Sequence, residues 1–207
     1  MRDHLRYTDE VQCAAARIVN AIRSMARMNG DPRGIFDSLH VRRNDFQEFY
    51  NDTQVNGETI FERTNDLLVE NSTIYIATDE TNVTFFDPLR KHYHIYFLDD
   101  FTHLVEGVSF HYYGMIDQLV SSRGRTFVGS YYSTFSGYIN RVRGYHSQKE
   151  KLAGYENGEI NSYYYADLSH RDVMRQYRSP NWLLWAQEFP IGWRDIDHDV
   201  KSQEIIS

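Results

Sequence analysis

Two short stretches of this chain carry residue types that can do chemistry together. The first is Thr126 to Arg143, TFVGSYYSTFSGYINRVR, where Ser130, Ser133, Thr134 and Ser136 crowd hydroxyls between an apolar run and a helical pattern. A strand that opens through a Ser/Thr-rich turn into a helix aims backbone N–H groups and hydroxyls at one point. The first amides of a helix lack partners and the helix dipole favours negative charge, so that point is a natural anion site. The same residues also describe an ordinary capped helix after a buried strand. The second stretch is His40-Val-Arg-Arg-Asn-Asp45. A guanidinium such as that of Arg42 can hold a phosphate bidentately and neutralise charge growing on a departing diphosphate. Asp45 can orient that arginine or accept from a sugar hydroxyl. An isolated run of this kind also reads as a surface salt bridge.

A third candidate is Asp117, set among Met115, Ile116, Leu119 and Val120 and so near a core boundary. A carboxylate there can accept two N–H bonds from a guanine edge, or simply face solvent.

The elements that must position these residues follow from the hydrophobic pattern. Asp9 to Met28 reads as a helix, with Val11, Ala14, Ala15, Ile18, Val19, Ile22 and Met25 in one stripe, Thr8 or Asp9 as cap and Asn29-Gly30 as stop. Cys13 is placed on its apolar face as a small buried hydrophobe. Ile35 to Val41 is a strand that ends in the His40 to Asp45 run. Phe46 to Asn56 is loop or a short irregular helix, and Glu58 to Glu70 a helix. Thr73 to Ala77 is a strand closed by Thr78-Asp79-Glu80. Thr81 to His92 is helical, with Pro88 shortening or kinking it. Tyr93 to Leu98, the helix His111 to Ser122, the strand from Arg125 and the helix from Thr134 complete the alternation. Such alternation predicts a Rossmann-like parallel sheet with helices on both faces, whose ligands sit beyond the carboxyl ends of the strands. Residues 1–148 form this domain. Residues 149–207 are expected as a hairpin around Asn157-Gly158, with Ser162 to Tyr165 as its return strand, and an irregular tail packed by Trp182, Trp185 and Trp193.

Composition narrows the function classes. A net charge of -7 argues against a nucleic-acid surface. The single cysteine rules out an internal disulfide framework and a Cys-based zinc site. No apolar run reaches the length of a membrane span, and no signal-peptide core opens the chain. Sequons at Asn51, Asn71 and Asn82 hint at a secretory compartment. The glycine-rich phosphate motifs of NTPases and dehydrogenases are absent, as is the nucleophile elbow of serine hydrolases. Asp195-Ile-Asp197 has the D-x-D form of metal-dependent glycosyltransferases but lies in the tail, away from any predicted strand.

Three segments, His40-Val-Arg-Arg-Asn-Asp45, Tyr75-Ile-Ala-Thr-Asp-Glu80 and the run from Ile116-Asp-Gln to Ser133-Thr-Phe-Ser136, resemble the protein O-fucosyltransferase family and, more distantly, the α1,6-fucosyltransferases. The resemblance runs in order from about Leu5 to about Arg143. It implies the second, donor-binding half of a GT-B enzyme that uses GDP-fucose. It further implies an inverting, metal-independent transfer to a protein or glycan hydroxyl in the ER or Golgi lumen, with no cofactor. Carried over residue by residue, it implies that Arg42 contacts the β-phosphate, that Asp117 recognises guanine, and that Ser133, Thr134 and Phe135 line the diphosphate and base site. His40, Asp45 and Asp79 are implied around the nucleotide sugar. The family's N-terminal Rossmann-like half, which helps form the acceptor cleft, has no counterpart in these residues. A non-catalytic nucleotide-sugar or glycan-binding module, and an enzyme using another GDP-sugar, are the other readings.

Overall fold

The structure, a computed structural model, describes residues 7–150, 155–156 and 159–172, with side chains over 7–144 and 161–172. Its centre is a sheet in which β1 (Phe36–Val41), β2 (Thr73–Thr78), β3 (His94–Tyr96), β4 (Thr126–Ser130) and β6 (Glu159–Ala166) run parallel. The short β5 (Tyr155–Glu156) closes one edge antiparallel to β6. The order is β3-β2-β1-β4-β6-β5. The chain winds outward from β1 through β2 to β3, then returns to the other side of β1 as β4. Between β1 and β4 the direction of winding therefore reverses. Such a switch point opens a crevice at the strands' carboxyl ends, the usual ligand position in sheets of this type.

Both faces are covered, which is why β1 is buried along its whole length. On one side α1 (Asp9–Met28) and α5 (Tyr113–Ser121) pack on Phe36, Tyr75 and Ala77. On the other, Ile60 of α3 (Gly57–Thr64) and Leu89 of α4 (Asp87–Arg90) meet Leu39, Val41, Ile74 and Ile76. The alternation of Phe36 and Tyr75 against Leu39 and Ile74 is the period-two consequence of the pleat. A short helix, α2 (Phe46–Phe49), follows β1. The long α6 (Thr134–Glu150) follows β4 and packs Ile139 against Phe127 and Tyr164.

Several expectations change in detail. Helix α1 has the predicted bounds, but Thr8 caps it without a side-chain hydrogen bond. Cys13 is exposed, not buried. The stripe through Val11, Ala14, Ala15, Ile18 and Ile22 faces the core and leaves residue 13 on the opposite side of the helix. Helix α3 stops at Thr64, whose carbonyl accepts from the amides of Leu67 and Leu68 in a turn. The Thr81 to His92 segment is a 3-10 turn over Val83–Phe86 running into α4, where Pro88 sits in the first turn and starts the helix instead of kinking it. Ser162 to Tyr165 is part of strand β6, but the residues of β6 that pair with β5 are Glu159 and Ile160, while Ser162 to Tyr164 pair with β4 in the parallel sheet. The expectations placed on Asn157-Gly158, the three tryptophans, Asp195 and Asp197 fall outside the described residues.

Two buried ionic groups tie the amino-terminal ends of the strands together, away from the crevice. The Asp37 carboxylate accepts from Arg125 Nε at 3.0 Å and Nη2 at 2.5 Å, from the Thr126 amide at 2.9 Å and from Ser72 Oγ at 3.2 Å. Arg143 on α6, fully enclosed, donates to Ser162 Oγ and to the carbonyls of Ser122, Gly124, Arg125 and Asn161. Burial lowers its pKa to about 9, partly countered by the charge of Asp37.

Candidate functional site

The crevice between β1 and β4 collects most of the residues whose types stood out. Strand β1 delivers Arg42 and Arg43 just past its carboxyl end, and β2 delivers Asp79 and Glu80 beside them. Asp79 is the organiser. One carboxylate oxygen accepts from Arg42 Nη1 at 2.5 Å, the other from the Arg43 amide at 2.7 Å, and the Asn44 side chain reaches it at 3.1 Å. Asn44 takes a left-handed φ of 43°, a conformation asparagine tolerates better than most residues, so the turn holds without glycine. Arg42 Nη2 also donates to the exposed Asp45 at 2.8 Å. Its guanidinium is thus oriented by two carboxylates while about a third of the side chain stays exposed.

Arg43 points the other way. Its Nε pairs with Glu80 at 2.6 Å, Nη1 donates to the Val55 carbonyl at 3.0 Å, and the guanidinium lies 3.9 Å from the Phe85 ring centroid. It fastens the residues after β2 and leaves the crevice to Arg42.

The second wall is the turn from Ser130 to Ser136. Ser130 Oγ accepts from the Arg42 amide at 3.3 Å and pairs with Tyr165 OH at 2.8 Å, linking β1, β4 and β6. Ser136 Oγ accepts from the Ser130 amide at 3.1 Å and meets His40 Nδ1 at 2.8 Å. This return is possible because residue 129 is glycine: a Cβ there would lie 2.5 Å from Ser136 Oγ. Helix α6 begins at Thr134, and the Ser133 carbonyl accepts its first helical bond from Gly137. Thr134, Phe135 and Ser136 therefore carry the amides that the helix itself cannot satisfy. Thr134 is exposed, Phe135 half-buried and Ser133 buried.

His40 sits beneath this wall. Phe135 stacks on its ring at 4.4 Å, and only 4% of the residue is exposed. Burial, reinforced by the nearby Arg42 charge, drives its pKa down to about 3, so the imidazole is neutral. Its visible work is to brace Ser136 and Phe135.

Asp117 stands apart from the Arg42 group. It lies on α5 and accepts from Tyr75 OH of β2 at 2.5 Å. Burial raises its carboxyl pKa to about 7. The Tyr75 hydrogen bond pulls the other way and the charge of Asp99 adds to the rise. Helices α5 and α6 adjoin, since a Cβ on Gly114 would lie 3.6 Å from the Phe135 ring. Sequence reasoning assigned no role to Tyr75, Arg43, Glu80 or Tyr165. Only the hydroxyl content of Ser130 and Ser136 signalled theirs.

Among the described residues no group of three or more His, Cys, Asp or Glu side chains is arranged to hold a metal, and no helix is long and apolar enough to cross a membrane. The family model described as GDP-fucose protein O-fucosyltransferase matches residues 1–146. No curated protein matches the chain.

Proposed function

The chain belongs to the GDP-fucose protein O-fucosyltransferase family, and from that premise we propose that it binds GDP-fucose in the β1–β4 crevice and transfers fucose, with inversion and without a metal, to a protein or glycan hydroxyl. The observation that carries the reading is the Arg42 guanidinium, oriented by Asp79 and Asp45 at the same end of the sheet as the first turn of α6. A diphosphate in the crevice would displace the exposed Asp45 from Arg42, while Asp79 keeps the fork aligned. As the bond from the anomeric carbon to the β-phosphate breaks, charge grows on oxygens that Arg42 and the helix terminus face. Ser133, Thr134 and Phe135 would line the diphosphate and base, and Asp117 would read the guanine edge. His40 would act from beneath, holding Phe135.

Calorimetry against GDP, GDP-fucose, GDP-mannose and UDP tests the reading, which requires GDP and GDP-fucose to bind and UDP to fail. Arg42→Ala should cost about 2 kcal/mol of GDP affinity, the worth of a charge-assisted contact. Arg42→Lys should recover only part of it, because an ammonium cannot form the bidentate fork. Equal GDP affinity in folded Arg42→Ala would remove Arg42 from the site.

Metal independence is checked separately. GDP binding should persist in excess chelator, since Arg42 and the α6 amides handle the phosphate charge. Loss of binding in EDTA that manganese restores would move the phosphate site to a metal and bring Asp195 and Asp197 forward. A lumenal ER or Golgi location fits the exposure of Asn51, Asn71 and Asn82, each the acceptor of a sequon.

A further inference from the structure

The turn that follows β6 carries a histidine and carboxylate pair that the donor reading leaves unused. Strand β6 lies beside β4 with Ala166 opposite Ser130, the residue that accepts from the Arg42 amide. The chain then turns through Asp167, which holds a left-handed φ of 52°. Asp167 Oδ2 lies 2.8 Å from His170 Nδ1, and Oδ1 accepts from Ser169 Oγ at 2.6 Å and from the Ser169 amide at 3.1 Å. Ser169 Oγ in turn lies 2.9 Å from His170 Nδ1.

These contacts settle the tautomer. The Ser169 hydroxyl proton is committed to Asp167, and a carboxylate can only accept, so His170 Nδ1 must be the protonated nitrogen. In the neutral ring Nε2 then carries the lone pair, and it has no hydrogen-bond partner among the described residues. Burial works against the Asp167 charge, but the hydrogen bonds from Ser169 and His170 outweigh it and hold its carboxyl below the usual range. The imidazole is fixed in orientation as well, stacked 4.0 Å from Tyr131 at 18°. Tyr131 is the residue after Ser130, in the turn that forms the second wall of the crevice. About a third of the His170 side chain remains exposed.

We propose that His170 is the general base toward the acceptor, with Asp167 as its positioning residue; this rests on the donor reading above. The acceptor hydroxyl oxygen bonds to the anomeric carbon of the nucleoside-diphosphate sugar. The bond from that carbon to the phosphate oxygen breaks, and its electron pair leaves with the diphosphate held by Arg42. The hydroxyl proton passes to His170 Nε2 and from there to solvent. An aspartate that fixes the tautomer and stabilises the imidazolium is the arrangement general-base histidines use.

The test uses the full chain, saturating GDP-fucose and water as the acceptor, with GDP release as the readout. His170→Gln and His170→Ala should keep wild-type GDP affinity by calorimetry and lose release by about a hundredfold or more. Added imidazole should restore part of the rate in His170→Ala but not in wild type, an effect that a purely structural histidine does not produce. Asp167→Asn, which tolerates the left-handed turn, should lower the rate while GDP affinity is kept. Wild-type release in His170→Gln overturns the proposal, as does wild-type protein that binds GDP-fucose and releases no GDP. Absence of GDP binding in the wild type instead overturns the donor reading beneath it.

Discussion

Asp117→Asn should weaken GDP binding by about a hundredfold, ~3 kcal/mol, and ADP binding hardly at all. Guanine offers N1–H and its exocyclic amine side by side, a pair of donors that one ionised carboxylate accepts with both oxygens. Asparagine replaces one acceptor by a donor, which then faces the guanine amine. The loss exceeds that of one bond because a buried polar group is left without a partner. Tyr75 occupies one lone pair of Oδ1, and a carboxylate has further acceptor sites to offer a base. The measurement is the GDP-to-ADP affinity ratio in wild type and variant. A ratio near one in wild type, or one that survives the substitution, returns Asp117 to a structural role beside Tyr75.

The same residue makes binding pH-dependent. With its pKa raised to about 7, Asp117 is largely protonated in the free protein below neutrality. Guanine needs the ionised form, so GDP affinity should fall about tenfold for each pH unit below 7, and this dependence should vanish in Asp117→Asn. Stability moves oppositely. A carboxyl whose pKa is raised by folding contributes most below its unfolded value and loses that contribution as pH rises through about 7. The variant should therefore gain stability relative to wild type between pH 5 and pH 8, which separates lost recognition from unfolding.

Asp37→Ala should lower the free energy of unfolding by about 3–5 kcal/mol, measured by urea titration. The wild-type carboxylate is fully enclosed and accepts from both Arg125 nitrogens, from the Thr126 amide and from Ser72. Removing it strands a largely buried guanidinium and a buried amide at the amino-terminal edge of β4. An uncompensated buried charge is the costliest part of that change. Asp37 lies at the opposite end of the strands from Arg42, so the folded fraction of the variant should bind GDP as wild type does. A loss below about 1 kcal/mol would mean that water replaces the carboxylate freely.

Local pattern was enough for the alternating elements, because the information sits within each segment. Helix α1 has the bounds its apolar stripe and Asn29-Gly30 stop imply, and β1, β2 and β4 begin and end within a residue or two of their apolar runs. Residue type was likewise enough to single out Arg42, Asp45 and the hydroxyl-rich turn, whereas Asp79 entered through the family resemblance. Where spacing is ambiguous, only packing decided. Leu67 and Leu68 continue an apolar spacing that reads as helix, yet they reach the core from a turn. The partners chosen across the crossovers leave no local trace at all. Asp79 meets Arg42 because β2 lies parallel to β1 in a register that ends both strands together, His40 Val41 opposite Ala77 Thr78. Tyr75 finds Asp117 because β2 presents alternate residues to the α5 face. Asp167 and His170 reach the same edge as Arg42 because β6 takes the place beside β4, a placement set by which strand edge was left unpaired. Spacing identifies neighbours along one element. Pairing between elements depends on the whole sheet, so the tertiary structure alone decided which side chains meet.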